Sequence, residues 1–478
     1  MVATVTYEMK RRFIDEFRND ADSASVNYYI GISRSEDWNA TDTAPTPVNT
    51  EREQRLFRYG LQSVKKVADY SFVVPRKNWT AGAKYFAYND ATEEHVQDFY
   101  VVNASNQVYV CIQHNITDLG VHTTSTVEPS GVLTKGVVLS DGYGWRFLYT
   151  IGTLAASFFK SQNFIPVKFQ GPTDGSSSAT DIEQLAKQNA AISGLTTTVP
   201  KAGKQIVGFN IVAGGAGYSP GSPPTVTITG DGHIGGTGGV KADAIISDGA
   251  VVNIKLLADS AGGENCLRMG QGFDFAAVTL TGGSPTTAAT ANVVFGPEGG
   301  FGADPRDDLR ARAMMFNAKP VGNEEGEFQV GNSFRQIGLL RDPTTPAGAL
   351  FTASDGNCLR RLQMASTDTA FSQGATLLGG TSGAVALVDS ADTLNGGEIW
   401  FHQNEDTGFT QFAENEAISV TTGQGAGTTQ ATGTDGDTLA FVEPKVDKFS
   451  GQLLYIENAA AVIRAADQTE DIKVIVEI

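Results

Sequence analysis

The chain has 478 residues, of which 41% are hydrophobic and 18% charged, and it carries a net charge of −18 at pH 7. A disordered chain would be poorer in apolar residues, and a chain this acidic is repelled by nucleic acid and anionic lipid. With 54 glycines and so few charges, the composition points to turn-rich β structure in several domains, because tight reversals use glycine's freedom at positive φ.

Val5, Met9, Phe13 and Phe17 recur at four-residue spacing and predict an amphipathic helix over 3–18. The charged residues among them leave no apolar core for a signal peptide, and no later stretch nears the roughly 18 apolar residues of a membrane span. Asn27 to Ile32 reads as a strand, and the Thr-, Pro- and Asp-rich stretch 39–50 as a loop. A second helix is expected to carry Leu56, Phe57, Gly60, Leu61, Val64 and Val67 on one face. Phe72 to Pro75 is extended, and 99–112 reads as a hairpin turning at Ala104-Ser105-Asn106. Gly144 to Ile151 is a strand. Thr153 to Ser161 follows as a short helix capped by Thr153, then an extended run over Phe164–Phe169. Thr180 and Glu183 have capping-box spacing ahead of a helix reaching about Ala191.

Near residue 200 the composition shifts to alternating Gly, Thr, Val and Ala. Gly214-Gly215-Ala216-Gly217-Tyr218 precedes a strand at Thr225–Thr229, and Gly270-Gln271-Gly272-Phe273 precedes one at Ala277–Thr281. These two copies of one unit suggest a small β module, and no helix follows either turn to make it a phosphate cradle. Asp304-Pro305 is a helix N-cap followed by its first residue, and Ser333–Arg341 a strand. A second β-rich insert, 347–440, contains eleven acidic residues against Arg360 and Arg361, with strands expected at 379–388, 398–402 and 418–422. Leu453–Glu457 and the alternating Ile472, Val474, Val476 and Ile478 complete the chain as strands. The expected fold is mainly β with a few short helices. A discontinuous, sandwich- or barrel-like core (1–200, 303–346 and 441–478) carries inserted β modules at 201–302 and 347–440.

Chemistry-bearing patterns are sparse. The five histidines, His95, His114, His122, His233 and His402, show no metal-ligand spacing. Cys111, Cys266 and Cys358 are far apart and odd in number, so they read as buried small hydrophobes in a reducing compartment rather than a disulfide framework or zinc site. Asp435-Gly436-Asp437 lacks the further carboxylates of a calcium loop. A basic and aromatic run from Arg52 to Trp79 suits a solvated face or a protein contact better than an RNA surface. No cofactor, metal or catalytic constellation is expected.

Six short stretches in order resemble the gene product 8 family of baseplate wedge subunits from contractile-tailed phages. They are Gly31-Ile32-Ser33-Arg34-Ser35-Glu36-Asp37-Trp38, Val74-Pro75-Arg76-Lys77-Asn78-Trp79, Val108-Tyr109-Val110-Cys111, Asp141-Gly142-Tyr143-Gly144-Trp145, Phe334-Arg335-Gln336-Ile337, and Tyr455-Ile456-Glu457-Asn458 with Asp467-Gln468-Thr469-Glu470-Asp471-Ile472. Neither insert contributes. The resemblance implies a mainly β, multidomain, non-enzymatic subunit that forms homodimers and joins other wedge proteins. Its place would be the virion tail baseplate, assembled in the host cytoplasm, with no nucleic acid, membrane or small-molecule partner. Trp38, Arg76, Trp79, Trp145, Arg335 and Asp467 are its candidate motif or interface residues. Each tryptophan reads as a core or an interface anchor with its indole N–H paired. Arg76 and Arg335 call for carboxylates, and Asp467, Glu470 and Asp471 are candidates. An alternative reading has the acidic insert bind a host-surface glycan through Trp400, Phe401, Phe409 and Phe412. A polysaccharide hydrolase rests only on β-richness and paired acids.

Overall fold

The computed structural model describes residues 4–92, 95–117, 120–132, 136–168, 204–235, 239–259, 265–302, 304–322, 324, 327–328, 330–391, 397–431, 441–465 and 467–477. The expected helix at 180–191 and the Asp435–Asp437 turn lie outside these residues. The protein is mainly β and multidomain, with four helices among the described residues: Tyr7–Ala21, Glu51–Tyr59, Thr153–Phe159 and Pro305–Asp308. Contacts divide the chain into two units, 1–11 with 71–313, and 12–70 with 314–478. The 201–302 segment lies wholly in the first and 347–440 wholly in the second, while the remainder is shared between them.

The first unit is built on a six-stranded antiparallel sheet in the order Ala258–Asp259, Cys266–Leu267, Val137–Val138, Gly144–Thr150, Gln107–Gln113, Tyr100–Val102. The expected hairpin is present, with Asn106 at φ +58 closing its turn. Tyr85, Val101, Tyr109, Cys111, Tyr143, Trp145 and Phe147 form its core. In the Gly-rich module, the strands fed by the two Gly-aromatic turns, Thr225–Gly230 and Ala276–Thr281, pair with each other. Glycine is required at the first turn: Gly215 has φ +68, and a Cβ there would lie 2.4 Å from the Thr287 carbonyl oxygen. Tyr218 and Phe273, which follow the two turns, are both buried.

The second unit holds a five-stranded antiparallel sheet in the order Asp355–Asn357, Leu61–Lys66, Tyr28–Ser33, Ser333–Arg341, Gln452–Ile463. It also holds a closed barrel. Arg360–Thr369 pairs with Glu398–His402, which pairs with Val385–Ala391, then Thr376–Gly379, Ala417–Thr422 and Ala426–Thr429, which returns to Arg360–Thr369. Closure leaves the ring of strands without an open edge. Its interior is filled by Leu362, Met364, Phe371, Leu377, Val388, Ile399, Phe401, Phe412 and Ile418.

Four local expectations change. Helix Glu51–Tyr59, capped by Thr50, stops at Gly60, and Leu61–Lys66 is a strand. Gly60 lies against the strand it would otherwise pass, its carbonyl accepting from the Arg34 N–H at 3.2 Å. The Phe57, Leu61, Val64 spacing imitates a helical face, yet all three reach one core from two elements. The first helix runs over Tyr7–Ala21 and buries Ile14, leaving Val5, Met9 and Phe13 about half exposed. Thr153 is the first helical residue, not the cap: Gly152 occupies that position without a side-chain bond. The expected strand over 379–388 is two strands, Thr376–Gly379 and Val385–Ala391, with a reversal between them.

The centre of the five-stranded sheet is set by one aromatic ring. Gly31 and Gly338 are cross-strand partners. A Cβ on Gly338 would meet Phe57 Cζ at 2.4 Å, and one on Gly31 would meet Leu61 Cδ1 at 2.8 Å. Gly338→Ala is therefore expected to overpack this core and cost about 1–3 kcal/mol, read as a lower urea midpoint with an unchanged m-value.

Candidate functional site

Three of the resembling stretches, far apart in sequence, become neighbouring strands. Gly31, Ile32 and Ser33 pair with Gly338, Ile337 and Gln336, which pair in turn with Ile456, Glu457 and Asn458. The strand Tyr28–Ser33 then leaves the sheet through Arg34, whose φ of +60 turns the chain sharply. The loop that follows, Ser35 to Asp42, is held by polar side chains on both sides.

On one side stands Arg335. Its Nε bonds Asp42 Oδ1 at 2.7 Å, its Nη2 pairs with Asp37, and its Nη1 donates to the Ser35 carbonyl and to Ser333 Oγ. Asp42 also accepts from the Trp38 backbone N–H at 3.0 Å, and the Arg335 hydrogen bond holds its carboxyl below the usual range. Arg335 has the carboxylate partners that its setting demands, but they are Asp37 and Asp42, not Asp467, Glu470 or Asp471. The Trp38 indole donates to the Ala459 carbonyl at 3.0 Å, and the Arg34 guanidinium lies 4.2 Å over its ring.

On the other side the loop meets the outer face of the barrel. His402 is completely buried between two carboxylates, with Nδ1 2.7 Å from Asp389 Oδ2 and Nε2 2.9 Å from Glu36 Oε1. Ser35 Oγ donates to the other Asp389 oxygen at 2.6 Å, and Asn404 donates to Glu36. Asp389 is the extra residue where the register shifts between Val388 and Ser390. Such a bulge re-aims a side chain, here onto the outer face beside His402. Burial alone would strip the imidazole of its proton, but the Asp389 charge and hydrogen bond, then Glu36, outweigh it and raise its pKa to about 10. Burial likewise works against the Glu36 carboxylate, and the His402 hydrogen bond and charge overcome it, lowering the pKa to about 2. The assembly contains serine, histidine and acid but not a nucleophilic triad. Ser35 bonds Asp389 rather than the imidazole, and both ring nitrogens are engaged, so His402 has no free lone pair to accept a proton. It functions as a fixed cation.

The other matched stretches gather in the first unit. Trp145 is fully buried and stacks on Tyr143 at 6.0 Å, with Tyr85 edge-on to both. It is a core anchor, and its Nε1 finds no partner among the described residues, contrary to the paired N–H expected. Trp79 packs against the same cluster and donates to Ser125 Oγ at 3.1 Å, which donates to Asp141. Arg76 meets neutral partners, Asn78 Oδ1 and the Ser161 carbonyl, both at 2.9 Å. Asp467 is exposed, and Glu470 pairs instead with the buried Arg464 at 2.9 Å.

His114 and His122, eight positions apart in sequence, lie with ring centroids 4.5 Å apart. Burial pushes the first down to about 4. The three cysteines are buried and form no disulfide with one another. Of the aromatics considered for a glycan, Trp400, Phe401 and Phe412 are buried, and Phe409 is exposed. No helix among the described residues is long and apolar enough to cross a membrane.

The His402 arrangement had no motif to announce it. Glu36 lies in a matched stretch, but Asp389 and His402 lie in the insert, thirteen residues apart. His402→Gln leaves Asp389 buried without its cation and should cost about 3–5 kcal/mol in urea unfolding. The pH dependence has a defined sign. The folded form holds the His402 proton more tightly, so this contribution is complete below the ordinary imidazole value of 6.5 and fades as pH rises toward 10. Glu36 contributes fully above 4.5 and fades as pH falls toward 2. Melting temperature measured against pH should fall on the alkaline side, and less steeply in His402→Gln. Compared with known proteins, the chain matches no family model and no curated sequence.

Proposed function

We propose that this chain is a structural subunit of a contractile phage tail, a baseplate wedge protein that dimerises and holds neighbouring wedge proteins in place. The observation that carries this reading is the convergence of the resembling stretches. Three form adjacent, in-register strands of one sheet, and three others surround one aromatic core. Residues kept for local chemistry need not build the framework, whereas residues kept for a fold do. Gly31, Trp38, Arg335 and Trp145 all serve as framework here, through close approach, capping and core packing.

The same reading makes the protein a virion component that acts by binding rather than turnover, with protein partners and no nucleic acid, membrane or small-molecule ligand. The barrel suits such a role, because its interior is packed with side chains and its binding surface must be external. The glycan alternative loses Phe401 and Phe412 to that packing, and Trp400 is buried outside it.

A wedge subunit of this kind is an obligate dimer, with an interface above about 2,000 Å². Size-exclusion chromatography with light scattering on the purified full chain should give twice the chain mass at micromolar concentration, without dilution-dependent dissociation. A monomer under those conditions would refute the dimer.

A further inference from the structure

Strands Ala313–Ala318 and Ile472–Glu477 are hydrogen-bonded neighbours. Beyond the first of these, Val321 pairs antiparallel with Thr469, and the bonds Gly322 N–H to Gln468 and Glu470 N–H to Pro320 keep the same register. Carried on along both strands, that register sets Lys473 opposite Asn317, where cross-strand Cβ atoms are about 5 Å apart. Asn317 is fully buried, and its own carbonyl is fixed by the Ala68 N–H at 2.8 Å. Its side-chain Nδ2 donates to Asp471 Oδ1 at 2.5 Å. The other Asp471 oxygen takes the Lys473 ammonium. One carboxylate thus bridges a lysine amine and an asparagine carboxamide on neighbouring strands.

We propose that Lys473 and Asn317 form an intramolecular isopeptide bond, with Asp471 as the catalytic carboxylate. Asp471 takes a proton from the ammonium, and the freed Nζ lone pair attacks Asn317 Cγ. The Cγ–Nδ2 bond breaks as the attacking nitrogen passes a second proton to the leaving one. Departing ammonia then takes back the proton held by Asp471 and leaves as ammonium. Nothing is oxidised or reduced, and no cofactor or co-reactant is needed. The reactants are positioned by the fold, which supplies the orientation that a bimolecular aminolysis lacks. The product ties the last described strand, which has a neighbour on one side only in its sheet, to a strand inside that sheet. This is independent of the wedge reading and stands or falls separately from it.

The test is the intact mass of the purified full chain, measured after denaturation. The folded-then-denatured protein should be lighter than its sequence mass by one ammonia. Trypsin should leave Lys473 uncut within a branched peptide that contains Asn317. Lys473→Arg and Asn317→Ala should each restore the full mass and run more slowly on a denaturing gel, and Asp471→Ala should restore it wholly or in part. A wild-type chain at its full sequence mass, with Lys473 and Asn317 in separate peptides, would overturn the proposal and leave an ordinary ion pair at this position. Because the decisive reading comes from the unaltered chain, a variant that fails to fold does not obscure it.

Discussion

A histidine sealed from water between two carboxylates governs the second unit. Removing His402 from solvent is unfavourable for its charge, and a lone buried imidazole would lose its proton. With Asp389 at one nitrogen and Glu36 at the other, the charged form wins and the ring persists as a cation. The consequence is geometric. Glu36 belongs to the loop that leaves the five-stranded sheet, whereas Asp389 and His402 belong to the barrel, so neither part can turn without exposing an unpaired charge. Ser35 adds a neutral bond to the same carboxylate, and Arg335 fixes the loop from its opposite side through Asp37 and Asp42. Such buried pairs add little net stability against an apolar alternative, yet they define one arrangement sharply.

Much of this was legible in the sequence, and the illegible part has physical causes. Ser333–Arg341 emerges with its expected bounds between polar flanks, although Arg335 and Gln336 lie within it. Asp304 caps Pro305–Asp308 as its chemistry predicts. The helix over 51–67 failed because Phe57, Leu61 and Val64 share a core from two elements, a coincidence of spacing that Gly60 interrupts. The candidate carboxylates for Arg335 stand at the other end of the chain from its partners Asp37 and Asp42, because a strand arginine signals its need for an anion but not the anion's address. Glu36 and His402 are 366 residues apart, and Asp389 reaches them only by way of a bulge. Bulges leave little trace in a hydrophobic pattern.

Residue type also underdetermines role. Trp38 and Trp145 sit in stretches that look alike in sequence, each a glycine- and acid-bearing run ending in an indole. Trp145 lies on a strand in a crowded aromatic core and gives up the hydrogen bond of its N–H, a cost set against the apolar area that it buries. Trp38 lies on a loop, keeps its N–H bonded to a strand carbonyl and offers a face to Arg34. The first holds a sheet together from within, and the second pins a loop to a sheet's edge strand.

The two extra modules follow a common rule of attachment. Where the Gly-rich module begins, the Gln205 carbonyl accepts from the Gly296 N–H at 2.8 Å, where it ends. At the barrel, the Asn357 carbonyl accepts from the Lys445 N–H at 3.0 Å. In each case, entry and exit are clipped together by a backbone hydrogen bond, so the gap that each leaves in the surrounding chain is short and closed. Insertions of that geometry are tolerated because they neither stretch the host nor break its pairing. Each has a second attachment as well: Cys266 of the Gly-rich module pairs with Val137 in the six-stranded sheet, and the His402 cation fixes the side of the barrel. A replacement Gly-rich module would have to resupply the strands Ala258–Asp259 and Cys266–Leu267 of the six-stranded sheet, and a replacement barrel would have to recreate a partner for Glu36.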